Sequence, residues 1–454
     1  MKQEWFISGP YGHVKHLQCI CFLCISAFIT VWTGCTPPGR MPAPLTPSEK
    51  AGQPSPRIFA HYMPWFRAEP LPEGGMQWEH WQWYGQGPKH DPDDLRQDGR
   101  HDIASVYYPL IGPYDGRDPD VLEYHLLTAR MAGIDGFIAD WYGPQTYSDE
   151  VFTEVMKAAE KFGLKAAICL EEKSFFPAYS QAKSRLDAMD VMAEQITYIL
   201  QTHARSPAYL HHDGEPVLFM FINHQEGILG RHILSPQELD HVLDRFTDPP
   251  IFFVRGHLDP EYADVVDAGY AWCGDSQYRD WFYRTARDMK ADGTITWVAG
   301  VANPGFNDTG VWGWGNGPRI TDRRGTLEYQ DHWNEVLSNQ PDAVQIVTWN
   351  DFEEGTTIEP SEEYGFTFID LTEHFAEKYS GHPANTGDNQ WPWRIYRLRK
   401  SIKTLSDSDA QAQWNKKVDV LVQELLHERN TGLEQSIDEM ETELPIEQIR
   451  GDVS

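Results

Sequence analysis

Short apolar runs and amphipathic stretches alternate along this chain from residue 57 onward. Eight apolar runs read as strands: "RIFAHYM" (57–63), "IDGFIADW" (134–141), "LKAAICLE" (164–171), "PVLFMFI" (216–222), "PIFFVRG" (250–256), "GYAWCG" (269–274), "TITWVAGV" (294–301) and "AVQIVTW" (343–349). Near-continuous apolar character suits strands buried on both faces, as in a parallel sheet. The stretches between them carry helix punctuation. "DPDVLEYHLLTARMAG" opens on an Asp cap with Pro in the first turn and ends at Gly133; "SDEVFTEVMKAAEKFG" opens on Ser148 and ends at Gly163; "SPQELDHVLDRF" repeats the opening. Eight strands alternating with helices predict an α/β fold of the (β/α)8 TIM-barrel type. An open doubly wound sheet is the alternative, but no strand runs into a Gly-rich dinucleotide fingerprint.

A barrel sorts residues by position, because its active site forms where strands end and not where they begin. "HHDGEP" (211–216), Asp135 and "ADG" (291–293) lie at strand entrances and read as turns and ties. The exits carry a different set: His61, Tyr62 and Trp65 after the first strand, Asp140, Trp141 and Tyr142 after the second, Glu171 and Glu172 after the third. Asn223 and His224 follow the fourth, Arg255 and His257 the fifth, Asp275 the sixth, Asn303 the seventh, and Trp349, Asn350, Asp351 and Glu354 the eighth. Two insertions join them, residues 67–117 after the first strand and "NPGFNDTGVWGWGNGPRITDRRG" after the seventh. Long loops in compact domains are usually functional. These are rich in aromatics (Trp78, Trp81, Trp83, Tyr84, Tyr107, Tyr108; Trp312, Trp314) and read as the walls of a cleft.

Composition narrows the ligand. The 454 residues carry a formal charge of −30, which repels nucleic acid and anionic lipid but leaves neutral ligands untouched. Surplus aromatics without a basic patch suit sugars, whose C–H faces stack on rings. Four of the six cysteines fall within the first 35 residues, and no metal-ligand spacing or disulfide framework is visible; no cofactor and no metal are expected, and the protein is expected to act as a monomer. Residues 1–35 read as a lipoprotein-type export signal, an apolar run "LQCICFLCISAFITVW" ending in "TGC", with Cys35 as the lipidated residue in the cell envelope. Residues 36–56 read as a Pro-rich tether, 57–405 as the catalytic barrel and 406–454 as an acidic, peripheral helical tail.

The last exit, "TWNDFEEGTTIEP" (348–360), holds four carboxylates. Cleavage of a glycosidic bond needs one group to protonate the leaving oxygen and another as base or nucleophile. Asp351 and Glu354, three residues apart, are the candidates; Glu353 reads as solvated or supporting, and Glu359 as part of a solvated turn. With "HYMPWF" and "YYPLIGPYDGRDPDVLEYHLLTARMAGIDGFIADWYG", this stretch resembles the bacterial branch of glycoside hydrolase families 71 and 99, over roughly residues 57–370. The resemblance implies a (β/α)8 barrel acting endo on α-linked polysaccharide, α-1,3-glucan in family 71 and α-mannan-type chains in family 99. It places Asp351 and Glu354 on the catalytic pair and Tyr62 and Trp65 on the aromatic floor; position at strand exits and in the second insertion, not the resemblance, adds His61, Asp140, Trp141, Tyr142, Glu171, His257, Trp314, Trp349 and Asn350 as further substrate-binding candidates. Asp351 matches the "NDYGES"-like pattern of family 71, whereas the following "EEG" matches "NEWHEG" of family 99. The shorter Asp leaves room for a water and slightly favours inversion, with Glu354 as general acid and Asp351 as general base.

Overall fold

The computed structural model describes residues 58–444, apart from 73, 178, 223–225, 228, 249, 382–386 and 428–430. The export signal with Cys35 and the tether lie outside the described residues, as do Asn223 and His224.

Eight parallel strands close on themselves: β1 (Ile58–Tyr62), β2 (Gly136–Trp141), β3 (Lys165–Glu171), β4 (Glu215–Phe221), β5 (Phe252–Gly256), β6 (Ala268–Tyr270), β7 (Trp297–Ala302) and β8 (Ala343–Ile346). Each pairs with its successor, and β8 pairs with β1, so the sheet has no free edge among these strands. Helices α1 (Pro119–Met131), α2 (Tyr147–Phe162), α3 (Arg185–Thr202), α4 (Pro236–Leu243), α5 (Ser276–Asp292), α6 (Leu327–Asn339) and α7 (Thr367–Ser380) cover the outside. The (β/α)8 barrel is therefore the fold, with one irregular unit. Between β5 and β6 the crossover, residues 257–267, carries only the 3-10 turn Pro260–Tyr262, being too short for a packed helix.

Local chemistry explains the helix starts. Asp118 caps α1 through its side chain with Pro119 at the first position, and Ser235 and Glu238 close a reciprocal capping box on α4. One expected start moves: α2 opens on Thr146, whose hydroxyl accepts from the backbone N–H of Asp149, so Ser148 lies inside the helix. The entrances are ties, as their position predicted. Asp135 accepts from the backbone N–H of Ile58, Asp213-Gly214 turns a short antiparallel hairpin into β4, and Gly293 ends α5 in the left-handed region.

Strand alternation builds two cores. Phe59, Ile138, Cys169, Phe219, Val254, Tyr270 and Ala299 fill the barrel interior, while Ala60, Tyr62, Phe137, Trp141 and Leu170 point outward against the helices. Three further helices follow, α8 (Trp391–Lys403), α9 (Ser408–Leu426) and α10 (Leu433–Glu443). The stretch expected as a peripheral tail is not peripheral: Val418, Leu421, Val422, Leu425, Leu433 and Ile437 join the main outer core. Arg394 clasps Glu434, Asp438 and Glu441, and Arg399 bridges Glu123 of α1 to Asp419.

Candidate active site

Two groups of carboxylates stand at the strand exits. The first is the turn after β8. Asp351, 2% exposed, is anchored by its backbone N–H on Thr348 Oγ1 (2.8 Å), and its Oδ1 accepts the backbone N–H of Glu354 at 2.8 Å. Glu354 opens further, with 22% of its side chain exposed; its Oε1 accepts from Trp314 Nε1 (3.2 Å) and Arg319 Nη2 (3.4 Å). Arg319 is itself held by the fully buried Asp308, which accepts from its Nε at 2.7 Å and its backbone N–H at 2.6 Å. Trp314 reaches Glu354 because residues 312–315 all take positive φ, 49° at Trp312 and 54° at Trp314 among them. For non-glycine residues such backbone is costly and tends to cluster at functional sites. Gly355 closes the turn at φ 60°, and a Cβ there would meet Asn307 O at 2.7 Å.

Burial, the mutual repulsion of Asp351 with Glu354, and Glu353 raise the Asp351 titration well above the carboxylate range. Burial also raises Glu354, opposed by Arg319 and by the Trp314 hydrogen bond. As a coupled pair they hold a proton to higher pH than free carboxylic acids do.

The second group lies across the mouth. Asp140 is the penultimate residue of β2, Glu171 ends β3, and the register places Asp140 beside Cys169 on the inner face. Tyr142 Oη donates to Glu171 Oε1 at 3.3 Å, and Lys173 Nζ sits 3.7 Å from Glu171 Oε2. Lys173 is buried between the rings of Tyr142 and Tyr179, at 5.1 and 5.9 Å. Burial works against its charge, but Glu171 and Asp140 outweigh it, Glu354 adding to them, and keep its pKa above the lysine value. The field of Glu354 thus reaches Lys173. Desolvation and the charge of Glu171 push Asp140 well above its usual range, and its Oδ1 has no hydrogen-bond partner among the described residues. His61 lies between the groups, edge-on to Trp272 (4.7 Å), with burial pushing its pKa down to about 3 so that the imidazole is neutral.

Several expected residues face elsewhere. Tyr62, Trp141 and Trp349 are fully buried in the outer core; for Tyr62 and Trp141 strand alternation decides this, since each sits one position past an inward residue. Asn350 ties Met63 and Tyr114, and Tyr62 Oη meets His125 Nδ1 at 3.3 Å. Glu359 is not solvated: it is buried, accepts from Tyr114 Oη at 2.8 Å and lies 3.3 Å from His125 Nε2. Glu353 is not solvated either, being buried against His80. His257 meets Tyr278 Oη at the start of α5. In the first insertion Trp78, Trp81 and Tyr108 pack its own core, whereas Trp83 stands edge-on to Trp314 at 5.9 Å. Sequence reasoning passed over Lys173, Trp272 and His80. Lys173 was visible two residues past a strand end, but nothing local distinguished His80.

The pattern "Glycosyl hydrolase family 99" matches residues 56–227, which carry β1 to β4 and the second carboxylate group. A zebrafish (Danio rerio) glycoprotein endo-alpha-1,2-mannosidase-like protein is 24% identical over 357 residues, 71% of this chain and 75% of its own length. The mouse (Mus musculus) glycoprotein endo-alpha-1,2-mannosidase is 22% identical over 357 residues, 71% and 72% of the two chains. The solved GH99 endo-alpha-mannosidase of Bacteroides thetaiotaomicron superposes with a TM-score of 0.58 at 18% identity, covering 72% of this chain and 99% of that one. This is a family 99-like glycoside hydrolase.

In the hydrolase, one cluster of donor types suited to a metal ion occurs among the described residues: His61, Asp140 and Cys169, from β1, β2 and β3, lie within 4.8 Å of one another. No sequence spacing announces it, because three separate strands supply the three side chains.

Proposed function

We propose that the hydrolase cleaves α-linked glycan in an endo fashion, acting on α-mannan-type chains, with Glu354 as general acid and Asp351 as general base. The observation that carries the reading is the turn after β8. It sets two coupled carboxylates at the barrel mouth, one opening to the cleft and one buried behind it. Glu354, the more exposed, meets the glycosidic oxygen and delivers its proton as the C–O bond breaks. Asp351 takes a proton from the attacking water, whose oxygen bonds to the anomeric carbon from the opposite face, inverting configuration. Arg319 and Trp314 then hold the Glu354 carboxylate that this step leaves behind. Asp140, Glu171, Lys173 and Tyr142, with His61 below them, offer donors and acceptors to sugar hydroxyls, and Trp65 offers an aromatic face. The names of the zebrafish and mouse relatives support a mannan-type chain over a glucan.

Glu354→Gln and Asp351→Asn are each expected to lower turnover of an α-mannan oligosaccharide at least ~1,000-fold while leaving its Kd within about threefold. Product anomers, followed by NMR, are expected to be β at first. Unchanged turnover in Glu354→Gln sinks the acid assignment, α products sink inversion, and hydrolysis of α-1,3-glucan alone sinks the choice of sugar.

A further inference from the structure

Beside the reacting pair lies a third carboxylate that the proposed reaction does not use. Glu353 sits between Asp351 and Glu354 in sequence, with 3% of its side chain exposed. Its partner comes from far away in the chain: His80 Nδ1 and Glu353 Oε2 share a hydrogen bond of 2.8 Å across 273 residues. His80 follows the hairpin strand Met76–Glu79 of the first insertion and takes φ 62°, a left-handed conformation that His tolerates better than most residues. The other side of its imidazole is also occupied. It stacks on the Trp65 indole with centroids 4.9 Å apart and planes 22° from parallel, and Trp65 lies 6.2 Å from the Tyr142 ring.

A carboxylate buried to this degree costs stability unless something holds it. It stands here between the two reacting groups, beside Phe352.

We infer that His80 and Glu353 form a positioning pair: His80 fixes the Glu353 carboxyl beside Asp351 and Glu354 and clamps Trp65 as a rigid aromatic wall. The inference rests on Asp351 and Glu354 being the reacting pair. Glu353 raises the titration of both, so its ionised form helps the pair keep its proton. Burial raises the Glu353 titration above the usual carboxylate value, and His80 limits that rise without cancelling it. The other titratable groups around the pair among the described residues are Arg319 and Asp308 from the second insertion, Lys173 from the β3 exit, and the Cys273 thiol, which burial and the charges of Glu354 and Asp351 hold neutral. Of these, Arg319 pulls Glu354 the other way. Burial outweighs that pull, with Asp308 and Glu353 adding to the rise.

The test uses the whole folded chain and two readouts that need no substrate. With Asp and Glu carboxyl carbons labelled, NMR follows the upper titration of the Asp351/Glu354 pair, assigned with Glu354→Gln. Glu353→Gln is expected to lower that titration by about one pH unit. His80→Asn, which tolerates the left-handed backbone but has no ring to stack, is expected to speed hydrogen exchange at Trp65 Nε1 at least ~tenfold. An unchanged titration in Glu353→Gln, or unchanged exchange in His80→Asn, overturns the inference. Both effects in a protein that hydrolyses no glycan would leave the pair standing and overturn the proposed reaction instead.

Discussion

Asp140 makes the residue-scale argument sharply. Burial and Glu171 raise its titration well above the carboxylate value, so the folded chain binds this proton more tightly than the unfolded chain does. The stability this contributes is fully present below the unfolded pKa and is lost as pH rises through the folded one. Asp140→Asn removes the ionisation and leaves Glu171 as the partner of Lys173. It is expected to raise stability by about 1–3 kcal/mol at pH 8, and by much less at pH 5. Thermal melts of both proteins across that range check it, and a gap that does not widen with pH contradicts it. The same variant is expected to weaken glycan binding, because it replaces a carboxyl at the mouth whose Oδ1, without a hydrogen-bond partner among the described residues, is left to meet a sugar hydroxyl.

At the scale of elements, each site residue depends on how its loop is held. The second insertion bends through four positive-φ residues to present Trp314, and Asn307 N–H clips it to Glu354 O at 2.7 Å. The first insertion carries its own core of Trp78, Trp81, Tyr108 and Tyr114, and Phe352 of the β8 turn plugs into it. The aromatic count of these loops therefore signalled packing as much as binding. Two helices beyond the barrel follow the same logic. Leu421 of α9, 3% exposed, belongs to the main outer core. Leu421→Ala is expected to cost about 2–4 kcal/mol in urea unfolding, the range of a core cavity; a loss under about 1 kcal/mol would mean that α9 merely rests on the surface.

For the whole molecule, charge and segment order matter more than any contact. A surface of net −30 is suited to neutral polymer and would repel polyanions. We propose that the chain is exported and tethered through Cys35, the Pro-rich stretch 36–56 holding the barrel mouth clear of the membrane. Mass spectrometry of the mature protein is expected to show an acylated N-terminal Cys35, and a mature protein that begins elsewhere removes the anchor.

How much of this was legible follows from the range of each interaction. The sequence by itself determined the eight strands, their order, most helix caps and the exits where chemistry gathers, because period, capping and turn chemistry act over a few residues. It also placed Asp351, Glu354, Asp140 and Glu171, since a barrel sends the residues at strand ends to its mouth. It failed where neighbours one residue apart point to opposite faces, so that Tyr62 and Trp141 joined the outer core while His61 and Asp140 faced in. It failed again where a partner lies hundreds of residues away. Only the tertiary structure decided that Glu353 is buried on His80, that Glu359 belongs to a network with Tyr114 and His125, and that Arg319 stands over Glu354. A carboxylate's burial and charge state are set by what the rest of the chain folds against it, and no local pattern carries that information.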